Sequence, residues 1–407
     1  MKNSKTTYII VSLWVVLAIL LGHVVAIVFY TNNFGWPALN YHIGYETGFG
    51  GRKFMGTICH FLFPQYVQIQ HIRTLIIVAN AMLICLLAWA LKKVIQQASH
   101  DKTIAIILLL YLVGPFSIVS WFTSGMSVIF METYQMILLL LWVILYLQWH
   151  GKTLFHVFTL IISVICCLIH HTFCCTLFPI IMTMLIYDTL SEQGTPSKKN
   201  IIWASIICIC MIFILFMIWF YSHMNISQEE LSSLLCQRAA PDTYNSDPYV
   251  LQMLYYESNS NNRAIMYNTL ITQRLPELAF SILILSPLLV VLYFPILYAA
   301  RKAPSRIRSW KYRIMYLTIT IPPLTIFFMA TDYGRWFSCW ILCLLFLTLI
   351  LLARHDSLIE KATLTLYYFF KRNYWFLLLL IVYLLSFHIQ SFEGLTEAIK
   401  MRSFLFG

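Results

Sequence analysis

The chain has 407 residues, 60% of them hydrophobic and only 11% charged, with a mean hydropathy of +0.77. That composition excludes a soluble globule with an ordinary charged surface. Segments of roughly 20 apolar residues recur along it, so residues 1–407 are expected to form one all-α, polytopic integral membrane domain.

Lys2 and Lys5 precede an apolar run over 8–30, which is too long for a signal-peptide core and predicts an uncleaved first span. Residues 31–72 then form a loop, and within it Gly44 to Gly56 reads Gly-Tyr-Glu-Thr-Gly-Phe-Gly-Gly-Arg-Lys-Phe-Met-Gly. Glycine is favoured where the backbone turns sharply or is closely approached, and the Arg52-Lys53 pair suggests that an anion approaches. Gly51 and Gly56 have the spacing of a P-loop, but the following lysine and a preceding strand are missing, so nucleotide binding is not expected. The competing explanation is a re-entrant turn whose two cations reach lipid phosphates.

Further apolar runs place spans at 73–91, 103–122, 133–149, 154–170, 173–188, 201–222, 276–299, 314–330, 337–353 and 374–391, about 11 in all. The run over 154–188 is interrupted only by His170-His171-Thr172, which leaves a hairpin and a single broken span both open. Around that break stand Cys166, Cys167, Cys174 and Cys175. Their spacing from the histidines suits a soft metal, but plain packing of small apolar side chains explains the cysteines better. A membrane-embedded acid, base or hydrogen-bond donor is the better expectation for His170 or His171. The remaining cysteines also fall mostly in apolar runs, so no disulfide framework is expected.

The second long loop, 223–275, carries Arg238, Arg263 and Arg274 among tyrosines and carboxylates, a mixture suited to carbohydrate. Within it, Ser227-Gln228-Glu229-Glu230 has the pattern of a capping box, and Asp247-Pro248 offers a second helix start. Near the end, Thr331-Asp332-Tyr333-Gly334-Arg335-Trp336 predicts a tight turn with Asp and Arg at the level of Arg52. Its bland explanation is an Asp332–Arg335 ion pair closing a hairpin, with Trp336 in the interfacial aromatic belt. Pro322 and Pro323, just upstream, are expected to break their helix.

Cytoplasmic loops carry the excess of Lys and Arg. With the N-terminus inside, only Arg52, Lys53, Arg73, Arg238, Arg263, Arg274, Arg335, Lys400 and Arg402 face outward, leaving 18 of the 27 basic residues inside. The net charge of +11 is therefore a topology signal, and no nucleic acid is expected as a partner. Both long loops, 31–72 and 223–275, lie on the outer face.

The combination of Gly-Phe-Gly-Gly-Arg-Lys-Phe-Met-Gly after the first span, the His-His pair in mid-chain and Asp-Tyr-Gly-Arg-Trp near the end resembles bacterial polysaccharide polymerases of the Wzy type. The resemblance covers the whole chain as architecture and about 25 residues as motif. It implies a multi-pass protein of the bacterial inner membrane with a cytoplasmic N-terminus, which joins undecaprenyl-pyrophosphate-linked oligosaccharide units into O-antigen or capsule. By the same resemblance, Arg52 and Arg335 would bind the pyrophosphate beside Lys53, with Arg263 or Arg274 assisting. Asp332, Glu46 and His171 are the candidates for orienting or deprotonating the acceptor hydroxyl. No metal or other cofactor is required. The implied partners are the lipid-linked glycan, the bilayer, and chain-length regulator and flippase proteins.

Three rivals remain. An O-antigen ligase, or another polyprenyl-phosphate-dependent glycosyltransferase, would use similar arginines on a different acceptor. A transporter or flippase would show two related halves and charges deep in mid-span, neither of which is visible. A sugar acyltransferase would want a deeper catalytic histidine, a part that His170 could fill.

Overall fold

The computed structural model describes residues 2–30, 38–98, 101–123, 127–190, 197–221, 226–238, 275–327, 333–389 and 399–401. The expected turn residue Asp332, the loop arginines Arg263 and Arg274, and the Asp247-Pro248 helix start lie outside these. The apolar runs fold as helices, the form in which a chain pairs all its backbone groups without water. In chain order the helices are α1 (Lys2–Tyr30), α2 (Phe54–Leu62), α3 (Ile69–Gln97), α4 (Asp101–Val113), α5 (Ile118–Thr123) and α6 (Glu132–Trp149). Then come α7 (Thr153–Ile169), α8 (Phe173–Thr176), α9 (Phe178–Thr189), α10 (Lys198–Tyr221) and α11 (Gln228–Arg238). The last are α12 (Leu275–Lys302), α13 (Arg306–Ile326), α14 (Tyr333–Ala353), α15 (Ser357–Arg372) and α16 (Tyr374–Leu385). A short antiparallel pair, β1 (Phe387–Ile389) with β2 (Ile399–Met401), follows.

Among the described residues, six helical segments are long and apolar enough to cross a bilayer, or seven if α15 and α16, bent by 98°, are one span. Shorter apolar helices run over Val15–Phe29, Thr153–Ile169 and Phe178–Thr189. The chain is a helical, multi-pass membrane protein. The run over 154–188 divides at His170 into α7 and the α8–α9 segment, and α9 packs chiefly on α13 and α10.

Helix α14 is the hub of the bundle, with 94% of its apolar window Gly334–Ala353 buried against α3, α6, α9 and α12. Two polar ties fix it parallel to α6. Arg335 meets Glu132 at the start of both helices, and Arg354 donates to the Tyr146 hydroxyl near the end of both. At that far end Arg354 also pairs with Asp188 at 3.1 Å. Beside it, buried Asp356 accepts from the hydroxyls of Tyr187 and Tyr312 at 3.0 and 2.6 Å and caps α15.

Two expectations for the last third change. Pro322 and Pro323 do not break α13, which continues to Ile326. Pro323 has no N–H to offer the carbonyl of Ile319, and the Trp340 indole N–H takes that carbonyl at 3.1 Å. Trp336 is no belt residue: it lies buried in the first turn of α14, packed near Phe327.

At the Arg335 end, the two loop segments dock on each other. The capping box forms as the sequence predicts: Ser227 Oγ accepts from the Glu230 N–H at 3.1 Å, and Glu230 Oε2 accepts from the Ser227 N–H at 2.7 Å. Helix α11 then buries Leu231 and Leu235 against Leu39 and Ile43, and its last carbonyl, that of Arg238, accepts from the Val67 N–H at 2.9 Å.

Candidate functional site

Four separate stretches of chain converge where α6 and α14 begin. The first is the glycine-rich turn ahead of α2. Arg52 has φ 70°, in the left-handed region that costs a side-chain-bearing residue about 1–2 kcal/mol. From that backbone its Nε–H reaches Nε2 of His170 at 2.6 Å. The glycines clear the way on both sides of it. A Cβ on Gly51 would stand 2.5 Å from Nδ1 of His171, and one on Gly56 would overlap the carbonyl of Ile43.

The second stretch is the break between α7 and α8. His170 is buried and His171 is exposed, with the two rings stacked at a centroid distance of 5.1 Å. A guanidinium only donates, so His170 Nε2 accepts from Arg52, while Nδ1 faces the Thr172 N–H at 3.2 Å and the Thr172 hydroxyl.

The third is the first turn of α6. Gln135 donates to the carbonyls of Cys166 and His170 at 2.9 and 2.6 Å, tying off the open end of α7. One turn earlier on the same face, Glu132 is fully buried and receives Nη1 of Arg335 at 3.0 and 3.1 Å. Helix α3 braces this stretch through Asn80, which donates to the Val128 carbonyl at 2.9 Å.

The fourth is Arg335 itself. It lies in the first turn of α14, with its guanidinium 4.1 Å from the Phe130 ring centroid and its charge within electrostatic range of His170. The structure therefore sets Arg52 and His171 against the His170 imidazole, with Arg335, paired to Glu132, near enough to act on it electrostatically. The Arg52 guanidinium, with the Arg335–Glu132 pair behind it and the accessible His171 imidazole beside it, can bind an anion and exchange a proton next to it.

Lys53 and Glu46 occupy a neighbouring position. Lys53 is buried and donates to the Gly48 carbonyl at 3.0 Å. Burial pulls its ammonium down to about 8, with Glu46 opposing the shift. Glu46 Oε1 receives the Gly44 N–H at 3.0 Å, stands 3.2 Å from His60 and pairs with Arg238, so it joins the glycine-rich loop to α11. Burial pushes the Glu46 carboxyl up, but the Gly44 and Glu46 N–H groups, His60 and Arg238 together hold it below its usual value.

Sequence reasoning missed Glu132 and Gln135. Their signal is a pair of polar side chains three residues apart opening an apolar helix, on one face and at a depth where unpaired polar groups are costly. Among the described residues no group of three His, Cys, Asp or Glu is placed to hold a metal ion. All 11 cysteines are free, with Cys167 and Cys174 facing each other at 3.7 Å.

This is one polar cluster of a helical membrane protein, another being the Arg354, Asp188 and Asp356 cluster at the far end of α14. No protein-family model matches the chain, and neither does a curated protein or a solved structure.

Proposed function

We propose that the chain is a polysaccharide polymerase of the bacterial inner membrane. In this reading about 11 spans cross the bilayer with the N-terminus inside, and the Arg52 site opens to the periplasm. Undecaprenyl-pyrophosphate-linked oligosaccharides are its substrates, and chain-length regulator and flippase proteins its partners. One observation carries the reading: Arg52, from the glycine-rich turn, is fixed on His170, and Arg335, from a distant helix and paired with Glu132, lies within electrostatic range of the same ring. Departure of a lipid pyrophosphate requires positive charge fixed where negative charge develops, and guanidinium groups locked by His170 and Glu132 supply it without reorganisation. His171 is the base carried forward, because it is accessible beside the arginines while Glu46 Oε1 is already engaged by the Gly44 N–H, His60 and Arg238. Asp332 remains a second candidate on sequence grounds.

The test is deletion of the gene and electrophoresis of the surface polysaccharide. Loss of the ladder with retention of a single repeat unit supports the proposal, and an unchanged ladder refutes it. A lipid-linked donor assay with a growing glycan or a lipid-A acceptor then separates a polymerase from a ligase.

A further inference from the structure

The short segment joining α2 to α3 presents its apolar side chains outward. Phe61 is 86% exposed, Leu62 50% and Tyr66 43%, and no residue from Phe61 to Val67 is charged. The projection is held from both sides. Phe63 stacks on His71 at a centroid distance of 4.0 Å, and the Val67 N–H is fixed to the Arg238 carbonyl at 2.9 Å. The apolar side chains therefore stay outside while their neighbours are pinned.

Helix α3 gives the level at which this tip stands. Its exposed stripe runs through Thr74, Val78, Met82, Cys85 and Trp89 and ends at Lys92. Arg73 and Lys92 are separated along the axis by about 28 Å at the usual rise, close to the roughly 30 Å thickness of a hydrocarbon core. Arg73 thus marks one edge of the core, and the chain leaving Ile69 stands one turn above it, among lipid headgroups. Phe, Leu and Tyr without charge are the residues that favour this zone. A glycan would require carboxylates or several amides, and the tip offers only Gln65 and the Tyr66 hydroxyl.

We infer that residues 61–66 insert into the headgroup and acyl boundary of the bilayer and anchor α2 to the membrane surface. Because α2 begins directly after Arg52 and Lys53, the anchor holds the polar site at the lipid surface, open to a lipid-borne anion arriving from the side. The anchoring is independent of the polymerase reading and goes beyond it.

The test uses the full chain in nanodiscs of phosphatidylethanolamine and phosphatidylglycerol, with a fluorescent amino acid in place of Phe61, of Tyr66, or of exposed Glu229 on α11. The probes at 61 and 66 are expected to lose most of their fluorescence to lipids brominated near the headgroup and little to aqueous iodide, while the probe at 229 does the opposite. Quenching at 61 and 66 by iodide and not by bromolipid would overturn the inference, as would shielding from both, which marks a protein-covered surface. None of these measurements depends on catalysis, so failure of the anchor and failure of the polymerase reading are separately visible.

Discussion

Arg52 and His170, which are distant in sequence, share a 2.6 Å hydrogen bond in which the guanidinium Nε–H donates to the imidazole Nε2. A hydrogen bond to a charged group contributes about 1.5–3 kcal/mol, and here it also orients a cation with many rotamers. His170→Ala should therefore weaken the lipid-linked donor's interaction by roughly one to two orders of magnitude. His170→Gln keeps an acceptor within reach and should retain more activity. Donor titrations of both variants, resolved into KM and kcat, check this. Equal loss in the two would mean that His170 acts in some other way.

The pair of Glu132 and Arg335 is buried on both sides, at 0% and 4% exposure. Removing one partner of such a pair typically costs about 3–5 kcal/mol, because the other charge is left buried. Glu132→Ala should lower the thermal stability of the detergent-solubilised protein sharply. The double replacement Glu132→Leu with Arg335→Met should recover most of that stability while abolishing polymer formation. A double variant no more stable than Glu132→Ala would contradict this account of the pair.

The membrane character was legible because hydrocarbon imposes a length and a composition that few soluble segments share; of the 11 expected spans, six or seven have helices long and apolar enough to cross among the described residues, and the runs at 133–149 and 201–222 emerge as α6 and α10 with nearly the expected limits. Arg52 and Arg335 were legible as cations beside glycines at the margins of apolar runs. Their meeting point was not, because nothing local to His170 shows that its ring faces Arg52 while the ring of His171 stays open. Glu132 was hidden because a carboxylate opening an apolar run looks like a helix start; its buried partner, Arg335, lies 203 residues further along the chain. The fate of Pro322 and Pro323 was equally tertiary, since the Trp340 indole that rescues the Ile319 carbonyl belongs to the next helix.

Gly51 and Gly56 should respond differently to the same methyl group. At Gly51 the new Cβ meets the ring of His171, a side chain that can swing away. Gly51→Ala should therefore change stability by less than about 1 kcal/mol while lowering activity by displacing the imidazole. At Gly56 the obstacle is the main-chain carbonyl of Ile43, so Gly56→Ala should cost about 1–3 kcal/mol, as overpacking does. Melting curves and activity of the two variants, measured side by side, check the contrast. It fails if Gly51→Ala proves the less stable of the two.

The contact between α11 and the glycine-rich loop should loosen in acid. Burial, reinforced by the nearby charge of His60, brings the His42 imidazole from 6.5 down to about 4. His60 is lowered by burial and by Arg238, with Glu46 opposing. A histidine whose folded value is depressed stays neutral in the folded chain while the unfolded chain takes up a proton. The stability it supports is therefore complete above pH 6.5 and is lost progressively as the pH falls to about 4. For His42 the loss is on the order of 3 kcal/mol. Glu46 acts in the same sense at lower pH: its depressed carboxyl keeps its pairing with Arg238 until the pH falls through its folded value, below the ordinary carboxylate range. Among the described residues neither ring nitrogen of buried His42 has a hydrogen-bond partner, so His42→Phe removes two unsatisfied polar atoms together with the titration. That variant should be more stable than the parent at pH 4 and should show a flatter dependence up to pH 6.5. Hydrogen exchange of the α11 amides, followed across that window in both proteins, reads the effect directly. Parallel pH dependences in parent and variant would exclude His42 as its source.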